Sequence, residues 1–161
     1  MLIYLIGLPG VGKTTIGKQL AESLHYNFID LDDEIEKSIG LNIPEIFNTR
    51  GEKYFREIEK LALHKTFNFT QTVVACGGGT PCFFDNLTQI NKNGKSIYLK
   101  ASSLEINSRL PLSELEKRPL FKTNSLDELL KKRKTFYEKA TFNFLVSSKN
   151  IIDNILQSIS K

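Results

Sequence analysis

The apolar run Leu2-Ile3-Tyr4-Leu5-Ile6 passes directly into Gly7-Leu8-Pro9-Gly10-Val11-Gly12-Lys13-Thr14-Thr15. Nothing else in the chain restricts its fold as strongly. Three glycines, a proline, a lysine and two threonines cannot build a core, yet they follow a run that reads as a buried strand. Ile16, Leu20 and Leu24 then recur at helical spacing. The stretch satisfies G-x-x-x-x-G-K-[ST] in the context that gives this pattern its meaning, a strand before it and a helix after. Glycines let the backbone curl so that several N–H groups face one anion, and the helix adds its positive end. Lys13 is expected to reach the β- and γ-phosphates, and the Thr14 hydroxyl to ligate Mg2+. The reading is a site for a nucleoside triphosphate; the competing one, an accidental glycine-rich turn, does not account for the context.

Four further segments read as strands: residues 27–31, 71–76, 95–100 and 142–147. Helical patterns lie at 13–24, 32–40, 43–47 and 51–67, the last with Phe55, Ile58, Leu61 and Ala62 assigned to its apolar face. Others begin near Phe83, Ser102 and Leu126, and a final one spans about 150–159. Strands alternating with helices predict an α/β fold, a five-stranded parallel sheet covered by helices on both faces. With 161 residues and no linker or repeat, the chain is expected to form a single domain over 1–161. Residues 110–121 have weak periodicity and two prolines, and are expected to form a loop that moves.

Charge narrows the partners. The formal net charge of +4 suits a binder of small anions as well as a nucleic-acid binder. Aromatic residues do not alternate with basic ones, so nucleic acid is not expected. No apolar run is long enough to span a membrane, and a leader is not expected either. Cys76 and Cys82 match no zinc or redox spacing, which points to a reduced, cytoplasmic setting. Two classes of triphosphate chemistry remain, a hydrolysing switch and a kinase for a small acceptor. No N-K-x-D-like guanine reader follows the later strands, which favours the kinase.

Candidate chemistry lies beyond the strand ends, where open parallel sheets bind ligands. Asp30 and Asp32 share a side if the backbone there is extended. One could hold a magnesium-bound water and the other accept a proton from a hydroxyl, or Asp32 or Asp33 could simply cap the next helix. Gly77, Gly78 and Gly79 outnumber what a turn requires and suggest close approach of a ligand, with N–H groups of Gly78 and Gly79 available to an acceptor. Cys76 reads as buried rather than nucleophilic, and Cys82, His25 and His64 have no recognisable partner. Arg56 could form a surface ion pair on its helix; Arg109, Arg118 and Arg133 fall in or beside the loop. Some of these guanidiniums must neutralise a migrating phosphoryl group.

Taken together, GLPGVGKTT, FIDLDDEIE, IPEIFNTRGEKYFREIE, GGG, RPLF and RKTFY resemble shikimate kinases, within the nucleoside monophosphate kinase-like group of P-loop proteins. GEKYFREIE after the Asp-x-Asp pair is the specific signal. The resemblance implies a three-layer sandwich, with an acceptor-binding segment at about 32–60 and a lid at about 110–124. It implies transfer of the ATP γ-phosphate to the 3-hydroxyl of shikimate, with ATP as co-substrate and Mg2+ as cofactor, by a monomer. Lys13, Asp32 and Arg118 would be catalytic. Gly10, Val11, Gly12, Lys13, Thr14, Thr15, Arg109 and Arg118 would bind ATP, and Thr14 and, through water, Asp30 would bind the metal. Asp32, Phe47, Phe55, Arg56, Gly77, Gly78, Gly79 and Arg133 would form the shikimate pocket, with Glu59 orienting Arg56.

Overall fold

A strand flanked by helices on both faces must be apolar on both sides, and the central runs are: every residue of Leu2–Ile6 and of Thr72–Ala75 is buried. The computed structural model describes residues 1–109 and 125–160. Along them run β1 (Leu2–Ile6), α1 (Lys13–Leu24), β2 (Asn27–Asp30), α2 (Leu31–Ile39) and α3 (Ile43–Thr66). There follow β3 (Thr72–Ala75), a single 3-10 turn (Thr80–Cys82), α4 (Asn86–Asn93), β4 (Lys95–Lys100) and α5 (Ser103–Arg109). The chain ends in α6 (Leu126–Tyr137), β5 (Phe142–Leu145) and α7 (Ile151–Ile159). The five strands form one parallel sheet in the order β2-β3-β1-β4-β5, as expected for the α/β class.

Strand order decides where ligands go. The chain leaves β1 toward one edge and later crosses to the other, so the crevice beyond the carboxyl ends of β1, β3 and β4 is the switch point. Register puts the ends level: Leu5 pairs with Ala75, and Ala75 with Asp30. The segments after β1, β2 and β3 therefore meet along one edge. Gly17, inside α1, lets that helix lie close on the sheet; a β-carbon there would stand 2.5 Å from the Phe28 ring. No described helix is long and apolar enough to cross a membrane, and the core of Ile3, Leu5, Leu20, Leu63, Ile90 and Leu99 runs through both layers.

Four local expectations need correction. Leu31 belongs to α2, because Asp30 caps the helix one residue earlier than the apolar pattern suggests. The helices at 43–47 and 51–67 run together as α3 across a kink at Gly51, whose φ of 81° only glycine adopts readily. The segment at Phe83 is not helical: a 3-10 turn precedes it and α4 begins at Asn86. Finally, Leu61 is 61% exposed. Phe55 is buried and Ile58 and Ala62 pack against the core as expected, but the inward face of α3 also carries Arg56, Glu59, Leu63 and Thr66, because Arg56 and Glu59 neutralise one another and so can be buried.

Candidate active site

At the end of β1 the backbone turns through Gly10 and Gly12, at φ 80° and 102°. Gly12 starts α1 without a side-chain cap, whereas Asp30, Asn42 and Ser125 cap α2, α3 and α6. The first N–H groups of α1 thus stay available to an anion at the positive end of the helix dipole. The Lys13 ammonium, buried with the loop, donates to the carbonyls of Gly7 (3.0 Å) and Leu8 (2.9 Å). Nearby, the Thr14 hydroxyl donates to Asp30 Oδ2 at 2.7 Å. A hydroxyl and a carboxylate this close, beside a phosphate cradle, are hard oxygen donors that fit Mg2+, an ion that keeps most of its waters and binds few protein groups. Among the described residues no cluster of three or more His, Cys, Asp or Glu side chains could cage an ion by itself.

These residues line a cleft of about 770 Å³ that includes Gly10, Val11, Gly12, Lys13, Thr14, Thr15, Asp30, Asp32, Gly77, Gly78 and Arg109. Asp30 and Asp32 do face one cleft, but not as alternate residues of a strand. Asp30 ends β2 and caps α2, its Oδ1 accepting from the Asp32 N–H at 3.2 Å, while Asp32 already lies in the first helical turn. The capping role expected of Asp32 or Asp33 therefore belongs to Asp30.

The other half of the site is built from side chains around Gly77–Gly79. A β-carbon on Gly77 would sit 2.8 Å from Asp32 Oδ1 and 2.9 Å from Glu59 Oε1. One on Gly78 would meet Pro9 at 2.7 Å and Arg133 Nη1 at 3.2 Å, and one on Gly79 would meet Arg56 Nη1 at 2.7 Å. Each of the three glycines is thus required by a different neighbour. Arg56 is not a surface residue; it is 4% exposed. Its Nη1 donates to Glu59 Oε2 at 2.8 Å, and its Nε and Nη2 donate to Glu52 Oε1 at 3.2 and 3.0 Å. Thr80 completes the set by donating to Glu59 Oε1 at 2.7 Å. Phe47 and Phe55 pack beside it with ring centroids 4.7 Å apart.

Arg133 comes from α6, where Lys131, Lys132 and Lys134 face outward while it is 6% exposed. Its buried Nη1 has no hydrogen-bond partner among the described residues. One turn further on, the buried Tyr137 hydroxyl donates to the Gly78 carbonyl at 2.5 Å and its ring packs on Tyr98. Burial pushes the Tyr137 phenol well above its ordinary range, so it stays a donor. Burial also raises the Cys82 thiol to about 11, although Arg133 and Arg56 both pull it down. Cys76 is buried and its thiol pushed further up by desolvation, as expected of a structural residue. Arg118 and the segment 110–124 lie outside the described residues. Tyr137, Thr80 and Phe83 were not singled out by sequence; the signal for Tyr137 was its place four residues after Arg133 on the face of Leu126 and Leu129.

An anion cradle at the switch point of a parallel sheet ordered 2-3-1-4-5, facing a pocket of buried arginines, defines a P-loop kinase of the nucleoside monophosphate kinase-like class. The family model for shikimate kinase matches residues 9–161. A shikimate kinase of Parabacteroides distasonis is 43% identical over 149 residues, 88% of this chain and 86% of its own. The structure of a shikimate kinase from Acinetobacter baumannii in complex with shikimate superposes with a TM-score of 0.92 at 33% identity, covering 99% of this chain and 92% of that one. The enzyme from Bacteroides thetaiotaomicron gives a TM-score of 0.84 at 35% identity, covering 99% and 96%. The chain belongs to the shikimate kinase family.

Proposed function

We propose that the protein transfers the γ-phosphoryl group of ATP to the 3-hydroxyl of shikimate, giving shikimate 3-phosphate and ADP on the route to chorismate and the aromatic amino acids. One observation carries the choice of acceptor. Arg133 presents a desolvated donor at Gly78 with no hydrogen-bond partner among the described residues, while Arg56, held by two glutamates, meets the adjacent Gly79. A buried guanidinium donor left without a partner, beside a second buried guanidinium, calls for a carboxylate. Asp32 on the neighbouring Gly77 calls for hydroxyls, and Phe47 and Phe55 for a ring. A carboxylated cyclic polyol satisfies all three.

The cradle holds the β- and γ-phosphates on backbone N–H groups, and Lys13 exchanges its carbonyl partners for phosphate oxygens. Thr14 and, through water, Asp30 would hold Mg2+, which when bound neutralises charge on those phosphates. Asp32 orients the acceptor hydroxyl and takes its proton as that oxygen bonds to the γ-phosphorus and the bond to the ADP oxygen breaks. Transfer of this kind needs little covalent help, so positioning and charge supply most of the rate. Arg109 at the cleft is assigned to adenine, and Arg118 of the lid segment to the phosphates, on the family resemblance. We further propose a monomer working in the cytoplasm, the reduced setting that Cys76 and Cys82, outside any zinc or redox spacing, favour.

The test is an acceptor panel with ATP and Mg2+, containing shikimate, gluconate, nucleoside monophosphates and water. Shikimate alone is expected to yield a phosphorylated product. Comparable turnover of gluconate would overturn the assignment.

A further inference from the structure

Arg56 is held by more than its glutamates. Its guanidinium carbon lies 4.1 Å from the centroid of the Phe83 ring, closer than the 5.0 Å to Phe55, its neighbour in sequence. We infer that Phe83 is a positioning residue for the acceptor carboxylate: the Arg56 guanidinium lies over its ring, which keeps the donors aimed at the Gly79 turn. This rests on the acceptor reading above.

Glu52 and Glu59 accept hydrogen bonds from the three nitrogens of the guanidinium. They do not fix its tilt, and Glu52 is an exposed side chain that solvent can compete with. An aromatic face at 4.1 Å fixes the tilt and excludes water, which strengthens whatever anion the remaining donors receive.

The chain is bent to put that ring there. Cys82 N–H closes the 3-10 turn on the Gly79 carbonyl at 2.8 Å, and Phe83 leaves the turn extended at φ −113° and ψ 149°. Phe84 then takes φ 52°, a conformation unfavourable for a bulky side chain. Its own ring is half exposed, so burial of Phe84 does not account for the strain. The reversal lets Asn86 start α4 at once, with its side chain donating to the Thr80 carbonyl at 2.9 Å. Strain of this kind persists where the surroundings over-determine it and clusters at ligand clamps.

The test compares Phe83→Tyr, Phe83→Leu and Phe83→Ser in the full-length enzyme, measuring KM for shikimate, KM for ATP, kcat and melting temperature. Leu and Ser are expected to raise the shikimate KM by about fivefold to thirtyfold, the span of a partly desolvated cation–π contact, with kcat and the ATP KM within about twofold. Tyr, which keeps the ring, is expected to stay near wild type. An unchanged shikimate KM in Leu and Ser would overturn the inference. So would a Tyr variant no better than Leu, or parallel losses in both KM values and kcat. Should Phe83→Ser not fold, the Tyr and Leu pair decides alone. Failure of the acceptor reading is distinct: the wild type itself would then leave shikimate unphosphorylated.

Discussion

The two halves of the active site are built on opposite plans. The half we assign to the nucleotide is main chain: a run of nine residues turns into an uncapped helix start whose N–H groups are available to an anion, with Lys13 as the buried cation within it. The half we assign to the acceptor is side chain: Asp32, Arg56, Glu59, Thr80, Arg133 and Tyr137 arrive from distant segments and meet around three glycines. A cradle of backbone amides suits phosphate, which every nucleotide shares, and needs no distinguishing side chain. A pocket that must tell one small acid from another needs donors and acceptors at fixed points, left unpaired when the wrong ligand enters. Generic recognition sits in contiguous sequence, and selective recognition in tertiary structure.

Removing the one charged side chain of the cradle should break that division most completely. Lys13→Ala is expected to lower turnover by about 10³-fold or more if, as we propose, the lysine neutralises phosphate charge that spreads in the transition state. Shikimate affinity, measured by calorimetry, should change little. A joint loss of both would mean that the halves are not separable.

The two arginines should then separate from one another. If both hold one carboxylate, Arg56→Ala and Arg133→Ala should each weaken shikimate by about 2–5 kcal/mol, with Lys restoring only part. Stability should tell them apart. Arg56→Ala leaves Glu59 buried without its cation, a loss of about 3–5 kcal/mol, whereas Arg133 Nη1 has no hydrogen-bond partner among the described residues and removing this side chain should be mild. A carboxamide analogue of shikimate is the control: the wild type should reject it and both variants should discriminate less. Equal melting temperatures for the two variants would show that the Arg56–Glu59 pair is not structural.

Asp32→Asn sits between the halves. The amide still orients a hydroxyl but takes no proton, and a loss near 10²-fold in kcat is expected, the lower end for a general base because phosphoryl transfer needs little base assistance. ATP affinity should hold. Turnover within twofold of wild type would reduce Asp32 to a hydrogen-bonding residue.

The same division explains what could be read before the fold was known. Gly7 to Thr15 carries its meaning in adjacent positions, and the strands at 2–6 and 95–100 are apolar enough that the observed bounds agree. Asp30 lies at the end of its strand as expected, but it also caps α2, the role expected of Asp32 or Asp33, since an aspartate at a strand-to-helix junction can end one element and cap the next. On α3, Phe55, Ile58 and Ala62 face the core as their spacing implies, whereas Leu61 looks like a core residue and is not, and Arg56 and Glu59 do not look like core residues until their mutual distance of 2.8 Å is known. Arg133 was more legible than its basic neighbours suggest, lying seven residues after Leu126 on the stripe of Leu129 and Tyr137. Thr80 to Glu59 and Tyr137 to Gly78 join residues 21 and 59 apart in sequence, and no local pattern encodes such bonds.

The smallest expected effect tests how the acceptor half is held up. Thr80 is fully buried, and its hydroxyl donates to the one oxygen of Glu59 that Arg56 leaves to it. Thr80→Val keeps the shape and puts a methyl group against that carboxylate oxygen. A buried hydrogen bond to a charged group is worth about 1.5–3 kcal/mol, and a chain of this size should melt roughly 3–12 °C lower for it. Glu59 Oε2 still grips Arg56, so the guanidinium stays close to its place and the shikimate KM should rise by no more than about threefold, well under the effect of losing either arginine. Thr80→Ser, which keeps the hydroxyl, should recover most of the stability. A melting temperature unmoved by valine would mean that the hydroxyl carries no net stabilisation. A KM raised as far as by Arg56→Ala would mean that Glu59 needs both of its partners to hold Arg56 at all, and that the acceptor half is one cooperative network and not a set of separable contacts.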